Sequence, residues 1–250
     1  MKIGALIIGD EILRGKRRDR HFAFLQETLG SRGLELSWTL LVGDDPEQLE
    51  RAMRFSMASD DVVFSFGGIG ATPDDRTRQT AAKVKGVPIV PHPEAIREII
   101  EKFGDAAYPN RILMGHLPEG CRLIPNPVNR VAGFSVDHHH FMPGFPEMAW
   151  PMVEWLLDNE YPDLRDLRAK SERSITITRG RESELLDTMN QIVDAFPDLL
   201  LSSLPHLGDS PYILFSLRGD HKRVDEAMTI MIEAIESAGF GWSDYTEPKK

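Results

Sequence analysis

The fold is decided by the stretch DVVFSFGGIGATPDD, residues 61–75. Five apolar or small residues, Val62–Phe66, stand between Asp61 and Gly67. A short, uninterrupted run of this kind is typical of a strand that is buried on both faces, as in a parallel sheet. We therefore predict a central parallel strand that leads directly into a glycine-rich loop.

This loop and the start of a helix form a predicted ligand contact. The glycines leave the backbone uncovered, so a ligand can lie against it. Thr72–Asp75 then begins a predicted helix that continues to Lys83, because Thr72 or Asp74 can cap its first turn. Free amides at a helix N-terminus favour an anionic group. The residues predicted to contact a ligand here are Gly67, Gly68, Ile69, Gly70, Thr72 and Asp74.

Two carboxylates, Asp74 and Asp75, lie beside the same loop. They would repel a bare phosphate unless a divalent cation lay between them. The pair therefore indicates either a phosphate bridged by Mg²⁺ or hydrogen bonds to a polar heterocycle. An ordinary loop with capping acids is the alternative, because Asp is a common helix cap.

Two earlier predicted strands also end in acidic residues. Ile3–Ile8 is followed by Asp10-Glu11, and Leu34–Val42 is followed by Asp44-Asp45. In a right-handed βαβαβ arrangement, consecutive strand ends lie on one edge of the sheet, which is where open α/β sheets bind ligands. The three acidic turns are therefore expected to converge on a metal-dependent phosphate or pyrophosphate site.

Two later loops can reach the same edge. Arg130, in the loop 126–134, could meet a phosphate there, although a surface arginine is the commoner case. Gly144 follows a predicted strand and can approach the same ligand. The histidine run His138–His140 lies just before it. Consecutive strand residues point to opposite faces, so we predict a turn leading into a strand and not a zinc site.

Composition limits the classes of protein that fit this chain. Its 250 residues suffice for one or two domains, and its net charge of −10 argues against sequence-independent nucleic-acid binding. A single cysteine excludes a disulfide framework and fits a reducing cytoplasm. No apolar run reaches membrane length. We therefore expect a soluble cytoplasmic protein without a membrane or nucleic-acid partner.

The chain is predicted to hold two domains, residues 1–165 and 171–250. Charge rises and apolar content falls near residues 158–170, as in a connection between domains. Beyond it, the predicted order is βαββα, which is typical of a small α+β domain with a half-open antiparallel sheet. This domain has no basic stripe, so we expect it to serve packing or dimer formation and not RNA binding.

Five motifs follow one another along the chain: Ile8–Gly15, Val42–Pro46, Gly67–Thr77, Leu117–Gly120 and Pro143–Met148. Together they resemble the molybdopterin-binding domain of molybdenum cofactor biosynthesis (MoaB/MogA-like). More narrowly, they resemble the competence/damage-inducible protein A (CinA-type) group. The resemblance implies a three-layer α/β/α fold that is often trimeric, with a pterin or nucleotide at the carboxyl edge of the sheet.

The same resemblance implies roles for the acids. The glycine loop and Asp75 would contact the ligand, with Glu11 and either Asp44 or Asp45 nearby. Some relatives hydrolyse the pyrophosphate of ADP-ribose with a divalent metal. Full-length relatives carry a further nicotinamide-nucleotide deamidase domain, which we expect this chain to lack.

Three functional hypotheses follow. In the first, the protein hydrolyses a nucleotide pyrophosphate such as ADP-ribose. Glu11, Asp45 and Asp75 would be its catalytic residues and would hold Mg²⁺, Mn²⁺ or Co²⁺, and Asp10 and Asp44 would contact the ligand. In the second, the pocket binds or carries molybdopterin or a nucleotide without chemistry. In the third, the pocket is vestigial and only homo-oligomerisation, as a trimer or dimer, remains.

Overall fold

The computed structural model describes residues 2–164, 170–208 and 210–245. The backbone divides into two units, residues 1–165 and 166–250. In the part of the chain that the structure describes, no helix is both long enough and apolar enough to cross a membrane.

The first unit alternates strands with helices. Its strands are β1 (Ile3–Ile8), β2 (Trp38–Val42), β3 (Val62–Phe66), β4 (Ile89–Pro91), β5 (His116–Pro118), β6 (Arg122–Ile124), β7 (Gly133–Val136) and β8 (His139–Met142). Its α-helices are α1 (Asp10–Leu13), α2 (His21–Gly30), α3 (Pro46–Ser56), α4 (Thr77–Lys85), α5 (Pro93–Phe103) and α6 (Pro146–Asn159). Two 3₁₀ helices, Gly104–Ala107 and Arg111–Gly115, lie between α5 and β5.

The central sheet of this unit is mainly parallel. Its strand order is β2-β1-β3-β8-β7-β6, and β4 pairs with β5 separately. Strands β2, β1, β3 and β8 are parallel to one another, whereas β7 and β6 pair antiparallel beside them. The carboxyl ends of four strands therefore meet at one edge of the sheet.

Helices cover both faces of the sheet because its central strands are apolar on both sides. On one face, Ile3 and Ile7 of β1 belong to a buried cluster with residues of α2 and α6. On the other face, Leu6 and Ile8 belong to a buried cluster with residues of α3 and α4. The predicted three-layer α/β/α fold is confirmed.

The helix after the glycine loop begins later than predicted. The backbone N–H and the hydroxyl of Thr72 both donate to the carboxylate of Asp75, at 2.9 and 2.5 Å. This closes a turn, and α4 starts only at Thr77. The predicted cap at Thr72 or Asp74 is therefore wrong. Strand β2 is also shorter than predicted, because it begins at Trp38 and not at Leu34.

The histidine run forms a turn and a strand, as predicted. Asp137 adopts a φ of 52° in the turn, and His139 and His140 are buried in β8. The ring of His140 is enclosed by hydroxyl groups: the Oγ of Ser135 lies 2.8 Å from Nδ1 and the hydroxyl of Tyr161 lies 2.7 Å from Nε2. Burial lowers the pKa of His140 to about 3, so this histidine is neutral at physiological pH.

The second unit is a two-layer α+β domain. Its elements are β9 (Lys170–Thr178), α7 (Glu182–Ala195), β10 (Leu200–His206), β11 (Tyr212–Asp220), α8 (His221–Ser237) and β12 (Gly241–Asp244). The antiparallel sheet has the order β10-β11-β9-β12. The predicted βαββα order omits β12, because the short sequence Gly-Trp-Ser-Asp carries no clear alternation. Side chains such as Ile177, Phe215 and Met228 form this unit's own core.

We predict that Phe64→Ala lowers the free energy of unfolding by about 3–5 kcal/mol, because its side chain is fully buried in the first unit. The matched control is Phe55→Ala, since Phe55 is 59% exposed and meets the ring of Trp38 only edge-on, with centroids 5.5 Å apart. Phe55→Ala should lower the free energy of unfolding by less than about 1.5 kcal/mol. Urea unfolding followed by tryptophan fluorescence measures both, and equal losses would contradict the assigned core.

Candidate ligand-binding site

A pocket of about 470 Å³ opens at the carboxyl edge of the parallel sheet. The ends of β1, β3 and β8 and the loops that follow them supply most of its lining. Ten of the residues predicted from the sequence line it: Glu11, Asp44, Gly67, Gly68, Ile69, Gly70, Thr72, Asp74, Asp75 and Gly144. The convergence of the strand ends thus produces a cavity.

Backbone forms the centre of this pocket. Gly67 has a φ of 107°, and a Cβ atom added there would lie 2.3 Å from the carbonyl oxygen of Ile8. The conformation and the lack of space both require glycine. The hydroxyl of Thr77 donates to the Gly67 carbonyl at 2.9 Å, and its N–H donates to the Gly68 carbonyl at 3.0 Å. The first turn of α4 therefore holds the loop in place.

A buried arginine that sequence reasoning missed anchors the other half of the loop. Arg78 donates to the carbonyl of Gly70 at 2.6 Å and to the carbonyl of His116 at 3.0 Å, and it also donates to the carbonyl of Leu113. Burial lowers the pKa of Arg78, and the nearby charge of Asp75 opposes that effect. No local sequence signal marks this role, because its partners Leu113 and His116 are distant in the chain.

The ends of β1 and β2 are joined by two aspartates. The N–H of Asp10 donates to the carboxylate of Asp44 at 2.9 Å, and the N–H of Asp44 donates to the carboxylate of Asp10 at 3.2 Å. Burial raises the pKa of Asp44; the charges of Asp10, Glu11 and Asp74 raise it further, whereas the hydrogen bond from Asp10 lowers it. Several like charges are therefore crowded at one wall of the pocket.

Three predicted site residues do not line the pocket. Asp45 is exposed and caps α3, accepting from the N–H of Gln48 at 3.0 Å. The carboxylate of Asp10 accepts hydrogen bonds from Arg14 at 2.6 Å and from the N–H of Asp44 after β2. Asp10 therefore positions Asp44 but does not itself line the pocket.

Arg130 is the third predicted site residue that lies outside the pocket. It bonds to Glu98 and Glu101 at 2.6 Å each and lines a different cavity. Its φ of 62° turns the backbone within the loop that the sequence analysis placed over the site. Two carboxylates of α5 thus pair with Arg130 outside the pocket, and its contact with a ligand stays a prediction.

The predicted metal ligands are not assembled. Across residues 2–164, 170–208 and 210–245, no group of three or more His, Cys, Asp or Glu side chains is arranged to hold a metal ion. Asp45 caps a helix, and Asp75 accepts two hydrogen bonds from Thr72. Glu11, Asp45 and Asp75 therefore do not form a ready-made metal site.

His21 is a second residue that the sequence reasoning missed. Its ring stacks on Phe66, with centroids 4.1 Å apart. Its Nε2 lies 3.3 Å from the carbonyl oxygen of Gly144, which can only accept, so Nε2 carries the hydrogen and Nδ1 is left without a partner. Burial lowers the pKa of His21, so the ring is neutral at physiological pH. It forms part of the pocket wall.

Known proteins are similar to this chain in sequence and in fold. Residues 4–165 match the protein family described as "Probable molybdopterin binding domain". The chain belongs to this molybdopterin-binding domain family. Among curated relatives, a CinA-like protein of Geotalea uraniireducens is 36% identical over 63% of this chain and 39% of its own length. A CinA-like protein of Geobacter sulfurreducens is 29% identical over 92% of this chain and 57% of its own length.

A solved structure agrees with this assignment to the molybdopterin-binding domain family. The crystal structure of CinA from Thermoplasma acidophilum, a protein described as of unknown function, is 29% identical and superimposes with a TM-score of 0.57. The match covers 64% of this chain and 98% of that one. The CinA-type resemblance is thereby confirmed. The chain spans only 39–57% of the length of the two curated relatives named above.

We predict that Asp44→Asn raises the melting temperature at pH 7 by about 2 °C. Folding raises the pKa of Asp44, so the charged carboxylate destabilises the folded state at pH values above that pKa. This destabilisation disappears as the pH falls through the pKa and the carboxylate becomes protonated. The increase in melting temperature caused by Asp44→Asn should therefore become smaller as the pH falls from 7 to 4. Asparagine can still accept the hydrogen bond from Asp10.

Asp45→Asn is the control for this pH dependence. It removes the same charge from an exposed cap, where asparagine serves equally well. Differential scanning fluorimetry across the pH range compares the two variants. A gain that does not depend on pH, or one that Asp45→Asn shares, would show that crowding at Asp44 is not its cause.

Proposed function

We propose that this domain binds a phosphorylated pterin, such as molybdopterin, or a nucleotide. The observation that carries the proposal is the pocket of about 470 Å³ whose centre is bare backbone at the carboxyl edge of a parallel sheet. Its volume falls within the range of small-molecule sites, and open α/β sheets bind their ligands at this edge. The match of residues 4–165 to a family described as a probable molybdopterin binding domain supports the same ligand class.

The chemistry of the lining fits such a ligand. Carboxylates of Glu11, Asp44 and Asp74 can accept hydrogen bonds from the ring N–H and amino groups of a pterin or purine. Ile69, Met114 and Met148 supply apolar surface for a flat ring. The glycine loop allows the ligand to lie directly against the backbone.

Pocket binding is tested by filling the cavity. Ala71 lines the pocket, so Ala71→Phe should weaken the binding of AMP, ADP-ribose and neopterin by at least tenfold in isothermal titration calorimetry. Ala23→Phe is the control, because Ala23 is exposed on α2 and lies outside the pocket. If none of the three ligands bound the wild-type protein, or if Ala71→Phe bound them equally well, the proposal would fail.

A second candidate is hydrolysis of a nucleotide pyrophosphate such as ADP-ribose. The crowding of negative charge around Asp44 favours it, because a divalent cation would relieve that repulsion. In nucleotide sites, Mg²⁺ is held by one or two carboxylates together with the phosphates of the substrate. Glu11 and Asp44 are the lining carboxylates proposed for that contact, since Asp75 is engaged by Thr72.

Hydrolysis predicts release of AMP from ADP-ribose in the presence of Mg²⁺, Mn²⁺ or Co²⁺. Glu11→Gln should lower the rate by about 10²-fold, as expected for loss of a charge that acts on the transition state. Asp45→Asn should leave the rate unchanged, because Asp45 lies outside the pocket. Binding without AMP release under any of the three metals would reject hydrolysis and leave the binding function intact.

Self-association as a dimer or trimer remains a prediction from the family resemblance. Light scattering of the purified chain measures it directly.

A further inference from the structure

Positive charge is scarce in the pocket. Four carboxylates line it, from Glu11, Asp44, Asp74 and Asp75. Within the described lining, the guanidinium of Arg17 is the one permanent cation, since His21 is buried and neutral. A phosphate that enters this pocket therefore meets four carboxylates and a single permanent cation.

The backbone holds Arg17 at this position. The N–H groups of Lys16 and Arg17 both donate to the carbonyl oxygen of Glu11, at 2.9 and 3.1 Å. This tight turn after α1 folds the basic segment Lys16–Arg20 back towards the strand end. The guanidinium carbon of Arg17 lies 5.3 Å from the ring centroid of Phe145, in the loop after β8.

Arg14 and Arg20 have other partners, whereas the charge of Arg17, which lines the pocket, stays available. Arg14 pairs with Asp10 at 2.6 Å. Arg20 pairs with Glu147 at 3.7 Å and lies over the ring of Trp150. Among the residues that the structure describes, no carboxylate forms an ion pair with Arg17. Its contact with an aromatic ring orders the guanidinium without neutralising it.

We propose that Arg17 is the specificity-determining residue of the pocket and binds a phosphate group of the ligand, while Phe145 covers one face of the ligand's ring. The inference rests on the proposed binding function and assigns the recognition of the ligand's phosphate to one residue. A guanidinium binds phosphate through two parallel hydrogen bonds, which lysine cannot reproduce. Phe145 is 49% exposed, so its side chain has surface to offer a stacked heterocycle.

Two ligand sources share this chemistry, and matched pairs separate them. AMP and adenosine form one pair, and neopterin monophosphate and neopterin form the other. Within each pair only the phosphate differs, so Arg17 should distinguish the members. Whichever pair binds more tightly to the wild-type protein identifies the heterocycle.

Isothermal titration calorimetry of Arg17→Gln tests the inference. The phosphorylated member of the preferred pair should bind about 10–100-fold more weakly, as expected for loss of a charged hydrogen-bond pair. The unphosphorylated member should change by less than about twofold. Arg17→Lys should recover only part of the loss, and Phe145→Leu should weaken both members.

Arg18→Gln is the matched control. Arg18 is adjacent, exposed and equally charged, but it does not line the pocket. A similar loss in Arg18→Gln, or equal weakening of both members in Arg17→Gln, would overturn the assignment to Arg17. If the wild-type protein bound a phosphorylated ligand and Arg17→Gln bound it equally well, only this inference would fall. If the wild-type protein bound neither pair, the proposed function would fall with it.

Discussion

The site depends on one steric constraint, which is the close approach of three strand ends at Gly67. A side chain at Gly67 would strike the carbonyl oxygen of Ile8, and one at Gly144 would come within 3.3 Å of the Gly67 Cα atom. The N–H of Gly67 meanwhile donates to the carbonyl of Met142 at 3.0 Å. Backbone thus fills the rim of the sheet where side chains would otherwise pack, and this leaves room for a cavity.

The acids of the site follow from the same arrangement. Parallel strands bring their carboxyl ends together, so acids that follow each strand must become neighbours. The reciprocal bonds between Asp10 and Asp44 join two strand ends, but they also hold two carboxylates close to Glu11. A protein retains such repulsion where a ligand can relieve it, and perturbed carboxylates are common at functional sites for that reason.

Much of this arrangement is readable from the sequence. The apolar run Val62–Phe66 identifies the central strand, and the glycines after it mark the pocket. The choice between Asp44 and Asp45 is not readable, because either residue can cap α3, and the structure gives that role to Asp45. The ion pairs of Arg130 are not readable either, because its partners in α5 are about thirty residues away in the chain.

Two of the residues that the sequence reasoning missed lie close together in the chain. Arg17 lies between α1 and α2, His21 begins α2, and the turn onto the Glu11 carbonyl precedes both. The dense basic run Lys16–Arg20 in an otherwise acidic chain was the available signal. No comparable sequence signal marks Arg78, because two of its carbonyl partners lie far along the chain, in the second 3₁₀ helix and in β5.

The anchoring of the loop by Arg78 has a consequence for recognition. A glycine-rich segment left to itself would sample many backbone conformations, and a ligand would have to freeze them on arrival. Here one buried guanidinium already ties the carbonyls of Gly70, Leu113 and His116 together. The conformational entropy of that loop is lost when the protein folds. A ligand therefore binds to a loop that is already ordered, and its affinity is higher because binding does not have to order the loop.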